Sequence, residues 1–258
     1  MYAKKSLGQN FLMHARIAER IALIAELALD AVVLEIGPGT GMLTRELLKL
    51  AKKIIAIEAD GELFEKLKLE FADEIAKKKL ELIHGDIRTY PLNITTVGNR
   101  GYHLVANIPY YLTGDIFRKF LTSKNQPGAM TLLVQKEVAD RIVAHDGKES
   151  ILSLSIKAYG TPKREFIVPR GAFKPAPKVD SAVLTIRNIS RKNFATEAEE
   201  KRFFMLLHAG FAHKRKFVRN NLVEVGLPSG GIPEKARAED LKLDQWLAII
   251  SEKTRPLA

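Results

Sequence analysis

The chain has 258 residues, 46% hydrophobic, 28% charged and 7% aromatic, which suits one large folded domain with a smaller companion and excludes a disordered or fibrous polymer. It contains no cysteine, so disulfides, thiolate-bound zinc and iron–sulfur clusters are excluded, and a reducing cytoplasm is expected. The formal net charge is +11, and 14 Lys/Arg against 5 Asp/Glu fall between Thr161 and Asn220, a bias that becomes an argument for a polyanionic partner only beside a motif.

The opening residues MYAKKSLGQNFL lack the apolar core of an export signal, and no stretch nears the roughly 20 apolar residues that span a bilayer. Next, Ile17, Ile21, Ile24 and Ala28 recur at helical spacing between Arg16, Glu19, Arg20 and Glu26, which predicts an amphipathic helix. Residues 31–36 form an apolar run without alternation until Glu35, the pattern of a strand covered on both faces. That run ends in Gly37-Pro38-Gly39-Thr40-Gly41, and a helix is predicted from Met42 to Leu50.

Strand and helix then alternate. Strands are predicted over 53–57, 80–84, 104–108 and 131–134, and helices over 62–76, 116–121 and 138–144. This rhythm requires crossover connections and hence a parallel sheet. Residues 164–168 and 179–187 are rich in β-formers and are joined by a loop holding Pro169, Pro175 and Pro177, which predicts an antiparallel last pair. Beyond Asn188 the period is helical, with helices over 199–211, 219–225 and 243–250 punctuated by Gly226, Pro228, Gly230, Gly231 and Pro233. The predicted organisation is an α/β domain over 1–187 and a small C-terminal helical domain over 188–258.

The glycine cluster lies at the carboxyl end of the first strand and opens a helix, where an open α/β sheet binds its ligand. Glycines there let a ligand approach backbone amides and the helix N-terminus. A tight turn alone explains one or two of them. A dinucleotide fingerprint needs Gly or Ala at its sixth position; Met42 stands there. A second strand ends at Glu58, whose carboxylate can accept both hydroxyls of a ribose, although a solvated strand-end acid is the commoner meaning of such a residue. His84-Gly85-Asp86 closes the third strand.

The Glu35-x-Gly37-x-Gly39-x-Gly41 loop, Glu58 and Asp86 together resemble the cofactor site of class I (Rossmann-like) S-adenosylmethionine-dependent methyltransferases. The resemblance implies that Gly37, Gly39 and Gly41 admit the cofactor, that Glu58 takes its ribose, and that Asp86, beside Ile87, takes its adenine amine. In that fold the fourth strand ends facing the methyl group, and here it ends in Asn107-Ile108-Pro109-Tyr110. The exocyclic amine of adenine is a poor nucleophile because its lone pair is delocalised into the ring. Hydrogen bonds from its N–H to the Asn107 amide oxygen and a backbone carbonyl favour a pyramidal nitrogen, and the Tyr110 face can stack the base and stabilise the developing positive charge.

This segment resembles the Asn/Asp-x-Pro-Tyr/Phe signature of adenine amino-methyltransferases. The stretch from Lys5 to Leu12 resembles the N-terminal motif of the ribosomal RNA adenine dimethyltransferases of the small subunit, which implies that Gln9, Asn10 and Leu12 line the cofactor pocket. Phe173 to Val183 resembles the same family's F-x-P-x-P-x-V-D-S loop, which implies that Phe173 and Tyr110 sandwich the target adenine. The resemblance runs from Lys5 to about Asn221. His14 stands where an acid is common, and the loop around Gly147 is slightly short.

The implied function is transfer of two methyls in turn to N6 of each of two neighbouring adenines in small-subunit (16S) ribosomal RNA. S-adenosyl-L-methionine is the cofactor, RNA of the pre-30S particle the partner, and a cytoplasmic monomer without metal or membrane the expected form. The helical domain would recognise the RNA. Alternatives are the related resistance-type enzyme of large-subunit RNA, a nicotinamide oxidoreductase, against which Met42 speaks, and a ribosome-assembly factor without chemistry. The spacing of the six histidines suits no metal site.

Overall fold

An apolar run can be buried only when its backbone N–H and C=O groups are paired, and parallel pairing between like runs does this on both edges. A computed structural model describes residues 4, 8–91, 101–227 and 229–251; Lys5, Ser6 and Leu7 of the N-terminal motif, and Pro228, lie outside the described residues. The first half contains β1 (Phe11–Leu12), α1 (Ala15–Ile24), β2 (Val32–Ile36), α2 (Met42–Leu50), β3 (Lys53–Glu58), α3 (Gly61–Glu70), α4 (Ala72–Ala76), β4 (Leu80–His84), β5 (His103–Asn107) and α5 (Thr113–Leu121). The second contains β6 (Ala129–Gln135), α6 (Lys136–Val143), α7 (Ile151–Lys157), β7 (Thr161–Val168), β8 (Phe173–Lys174), β9 (Ser181–Arg187), α8 (Glu197–Gly210), α9 (Val218–Glu224) and α10 (Leu243–Ser251).

Seven strands form one sheet in the order β4-β3-β2-β5-β6-β9-β7. The pairs from β4 to β6 are parallel, while β9 is antiparallel to β6, from Met130 opposite Ile186 to Gln135 opposite Ser181. The order reverses between β2 and β5, which leaves a crevice at their carboxyl ends. Val33, Leu34, Ile54, Ala56, Leu104, Val105 and Leu132 are buried, as strands covered on both faces require. Residues 62–76, predicted as one helix, are two: the chain breaks at Phe71 (φ −105°, ψ 28°), which turns that ring into the core. The two-residue strands β1 and β8 pair antiparallel in a small sheet of their own.

Contacts divide the chain into two units, 1–139 with 163–189, and 140–162 with 190–258. Residues 140–162 thus group with the C-terminal helices rather than with the sheet, a split that one boundary at 187/188 does not describe. The reason is apolar burial. Tyr159, just beyond α7, packs edge-on to Phe194 and stacks on Phe204, and its hydroxyl donates to Glu200. Elsewhere in this unit, Trp246 of α10 is buried against Gly210 and stacks on Phe211, with ring centres 5.9 Å apart.

Candidate active site

The carboxyl ends of β2, β3, β4 and β5 open into one cavity of about 1060 Å³, open mouth included, closed on another side by residues 8–12. It brings together Gln9, Asn10, Leu12, Gly37, Gly39, Glu58, Asp86, Ile87, Asn107 and Tyr110. Two predicted residues, Gly41 and Phe173, are not among its lining.

Gly37 has φ +63°, and a Cβ there would meet nothing within 4 Å. Its bare side therefore faces open space at the cavity wall. Gly41 does different work: it precedes α2 with φ +72°, and a Cβ there would lie 2.7 Å from the Phe71 ring, so the bare backbone serves packing. Phe173 is buried in the core with Leu12, its partner across the β1–β8 pair. Tyr110 faces this cavity, whereas Phe173 does not.

Glu58 ends β3 and is almost fully buried. Its two oxygens accept main-chain N–H groups from Gly39 (3.0 Å) and Asp60 (2.9 Å). Burial raises its pKa above the usual carboxylate value, and these amides oppose the rise. Each oxygen keeps acceptor capacity for a hydroxyl. Asp86 is more open, and the Arg88 guanidinium donates to its Oδ2 from Nε at 2.9 Å and from an Nη at 2.6 Å, and to its Oδ1 from Nε at 3.1 Å. Arg88 holds the Asp86 carboxyl below its ordinary value.

At the end of β5 the Asn107 amide nitrogen donates to the Asn10 carbonyl at 3.1 Å. Tyr110 follows through the rigid Pro109. Its hydroxyl shares a 2.6 Å hydrogen bond with Ser181 of β9, and burial raises its pKa. Ser181 thereby acquires a role that the V-D-S motif alone did not disclose.

Sequence reasoning assigned nothing to Glu35, which lines the cavity floor from inside β2. It is buried, its Oε2 has no hydrogen-bond partner among the described residues, and burial pushes its pKa up to about 8 against the opposing influence of the nearby Thr44 hydroxyl. The available signal was a lone carboxylate inside an otherwise apolar strand. Arg88 and Asp60 were also passed over, being single charges on loops.

A largely parallel sheet whose strand ends join a glycine loop, a buried ribose-height acid and an Asn-Ile-Pro-Tyr turn in one cavity defines a class I, Rossmann-like methyltransferase. The acceptors present suit S-adenosylmethionine, whose ribose hydroxyls and adenine amine all need acceptors such as the Glu58 and Asp86 carboxylates supply. The model of the Ribosomal RNA adenine dimethylase family matches residues 1–255; the chain belongs to that family, and is an enzyme of that class. It is 40% identical to the Ribosomal RNA small subunit methyltransferase A of Dehalococcoides mccartyi strain BAV1, with 97% of this chain and 88% of that protein covered. It is 35% identical to the protein of the same name from Fusobacterium nucleatum, covering 96% of each. Among solved structures, the 23S rRNA methyltransferase ErmE matches with a TM-score of 0.78 at 26% identity, covering 95% of this chain and 100% of that one. A dimethyladenosine transferase from Plasmodium falciparum matches with the same score and identity over 95% and 97%. No described helix is long and apolar enough to cross a membrane.

Proposed function

We propose that the chain dimethylates N6 of two neighbouring adenines in small-subunit ribosomal RNA, using S-adenosylmethionine as the methyl source. One observation carries this reading: the cavity that holds Gly37, Glu58 and Asp86 also holds an Asn107 amide whose donor side is already engaged by the Asn10 carbonyl. A carbonyl can only accept, so the amide presents NH2 to Asn10 and keeps Oδ1 as an acceptor for an amine.

The cofactor supplies an electrophilic methyl on a sulfonium. Glu58 would hold its ribose and Asp86 its adenine, with Gly37 and Gly39 admitting it to the backbone. Asn107 Oδ1 accepts an N–H of the adenine amine and keeps its lone pair directed at the methyl carbon. The Tyr110 ring, steadied by Ser181, stacks the base and faces the charge that develops on it. Water exclusion comes from residues 8–12 on one side. In the helical unit, exposed Lys214 and Arg215 supply phosphate contacts, so RNA shape rather than base edges selects the site.

The test is transfer of labelled methyl groups to undermodified small subunits, undermodified large subunits and free oligonucleotides, with mapping of the modified base. Dimethyladenine at two adjacent positions of small-subunit RNA is expected. Label in large-subunit RNA alone would assign the chain to the ErmE-like activity, and label in neither, despite cofactor binding, would leave a binding protein. Asn107→Ala should lose turnover while keeping cofactor affinity; a wild-type rate in that variant would remove Asn107 from the chemistry.

A further inference from the structure

The acceptor face of Asn107 is useful only while its donor face is held, and the group that holds it belongs to a segment far away in the chain. Residues 8–12 cross the cavity as a strap. One end is fixed by the β1–β8 pairing and by the Met13 N–H donating to the Ala172 carbonyl at 2.8 Å. At the other end the Gln9 amide donates to Asp60 Oδ2 at 2.9 Å, and the Lys4 ammonium reaches Asp60 Oδ1 at 2.9 Å. Between the two anchors lies the Asn10 carbonyl that receives Asn107.

Asp60 is suited to be the fixed post. It is 4% exposed, and its Oδ1 also accepts the Glu62 N–H that starts α3, so the carboxylate cannot swing without uncapping a helix. Its own N–H is tied to Glu58. Gln9, although it lines the cavity, has both ends of its amide committed: Nε2 to Asp60 and Oε1 to the Lys4 N–H at 2.7 Å.

We propose that Asp60 is a positioning residue for methyl transfer: through Gln9 it holds the strap at the height where the Asn10 carbonyl locks the Asn107 amide with Oδ1 toward the target amine. This rests on the role given to Asn107 above. Loosening the post leaves Glu58 and Asp86 in place and frees the Asn107 amide to rotate, so turnover falls further than cofactor binding does.

The experiment compares Gln9→Ala and Asp60→Ala in the wild-type and Asn107→Asp backgrounds, in the full-length protein, by single-turnover methylation of undermodified small subunits at saturating cofactor. S-adenosylhomocysteine affinity is measured in parallel by calorimetry. Aspartate at 107 keeps acceptor oxygens but has no N–H for the Asn10 carbonyl, so it is uncoupled from the strap. In the wild-type background each variant should slow methyl transfer at saturating cofactor by about tenfold or more, a larger factor than any loss of S-adenosylhomocysteine affinity. In the Asn107→Asp background the same changes should alter the rate by less than about twofold. Asp60→Asn, which keeps one acceptor, should recover part of the loss. Should Asp60→Ala fail to fold, Gln9→Ala carries the test, because it leaves the α3 cap intact. Equal losses in both backgrounds, or loss of S-adenosylhomocysteine binding in step with rate, would overturn the proposal. Failure of Asn107 itself is read separately, from a wild-type rate in Asn107→Ala.

Discussion

Glu58 shows how a carboxylate can be almost fully buried and still keep acceptor capacity. Two main-chain amides hold it, yet each oxygen keeps a lone pair for a ribose hydroxyl. Glu58→Ala should weaken S-adenosylmethionine binding by about 1–3 kcal/mol, the cost of leaving hydroxyl partners unpaired; unchanged affinity by calorimetry in the folded variant would remove it from the site. Glu35 makes a second prediction through pH. Its folded pKa of about 8 lies above the unfolded value of 4.5, so the folded state keeps a proton that the unfolded state has released. The stability from that proton is full below 4.5 and is lost as pH rises to about 8. Glu35→Gln carries no such penalty, so the melting temperature of the variant minus that of the wild type should grow across this window and level off above it. A difference independent of pH would mean that Glu35 is ionised throughout.

Elements are fixed as much by what their neighbours leave room for as by their own pattern. Gly210 closes α8, and a Cβ there would lie 2.3 Å from a ring atom of Trp246, the protein's one tryptophan. Gly210→Ala should therefore destabilise the helical unit by about 1–3 kcal/mol through overpacking, with a shifted Trp246 fluorescence spectrum; unchanged emission and denaturation midpoint would contradict the packing described. The long elements were legible because their periodicity is strong: β2, β3 and β4 and helices α2, α8 and α10 fall within a few residues of prediction. Helix α7 was not, because Ile151-Leu152-Ser153-Leu154-Ser155-Ile156 alternates like a strand. The Ser150–Ser153 capping box and burial of Leu154 and Ile156 make it a helix. Strands β1 and β8 span two residues each, too few for any period to register.

Over the whole molecule the charge of +11 is not uniformly available. Lys216 is paired with Glu224 at 2.9 Å and Arg219 lies 3.6 Å from Glu234, whereas Lys214 and Arg215 are exposed and better placed to release counterions from RNA. Neutralising Lys214 and Arg215 should reduce the slope of log affinity against log salt by about 0.7–0.9 for each phosphate that is no longer neutralised, and neutralising Lys216 by less. Filter binding across a salt series measures this, and an unchanged slope would move the RNA-binding surface elsewhere on the protein. Local pattern sufficed for the parallel sheet and for the glycine loop and Asn-Ile-Pro-Tyr turn at its strand ends, because strand periodicity and turn chemistry act between residues close in the chain, while the roles of Glu58 and Asp86 came from the family resemblance. It did not suffice for the Gln9–Asp60, Tyr110–Ser181 and Asn10–Asn107 bonds, whose partners stand 51, 71 and 97 residues apart. Nor did it separate Gly41, which makes room for Phe71, from Gly37, whose bare side faces open space in the cavity wall. Those assignments depend on which distant atoms the folded sheet brings within hydrogen-bond or van der Waals distance, and that is decided only when the chain closes on itself.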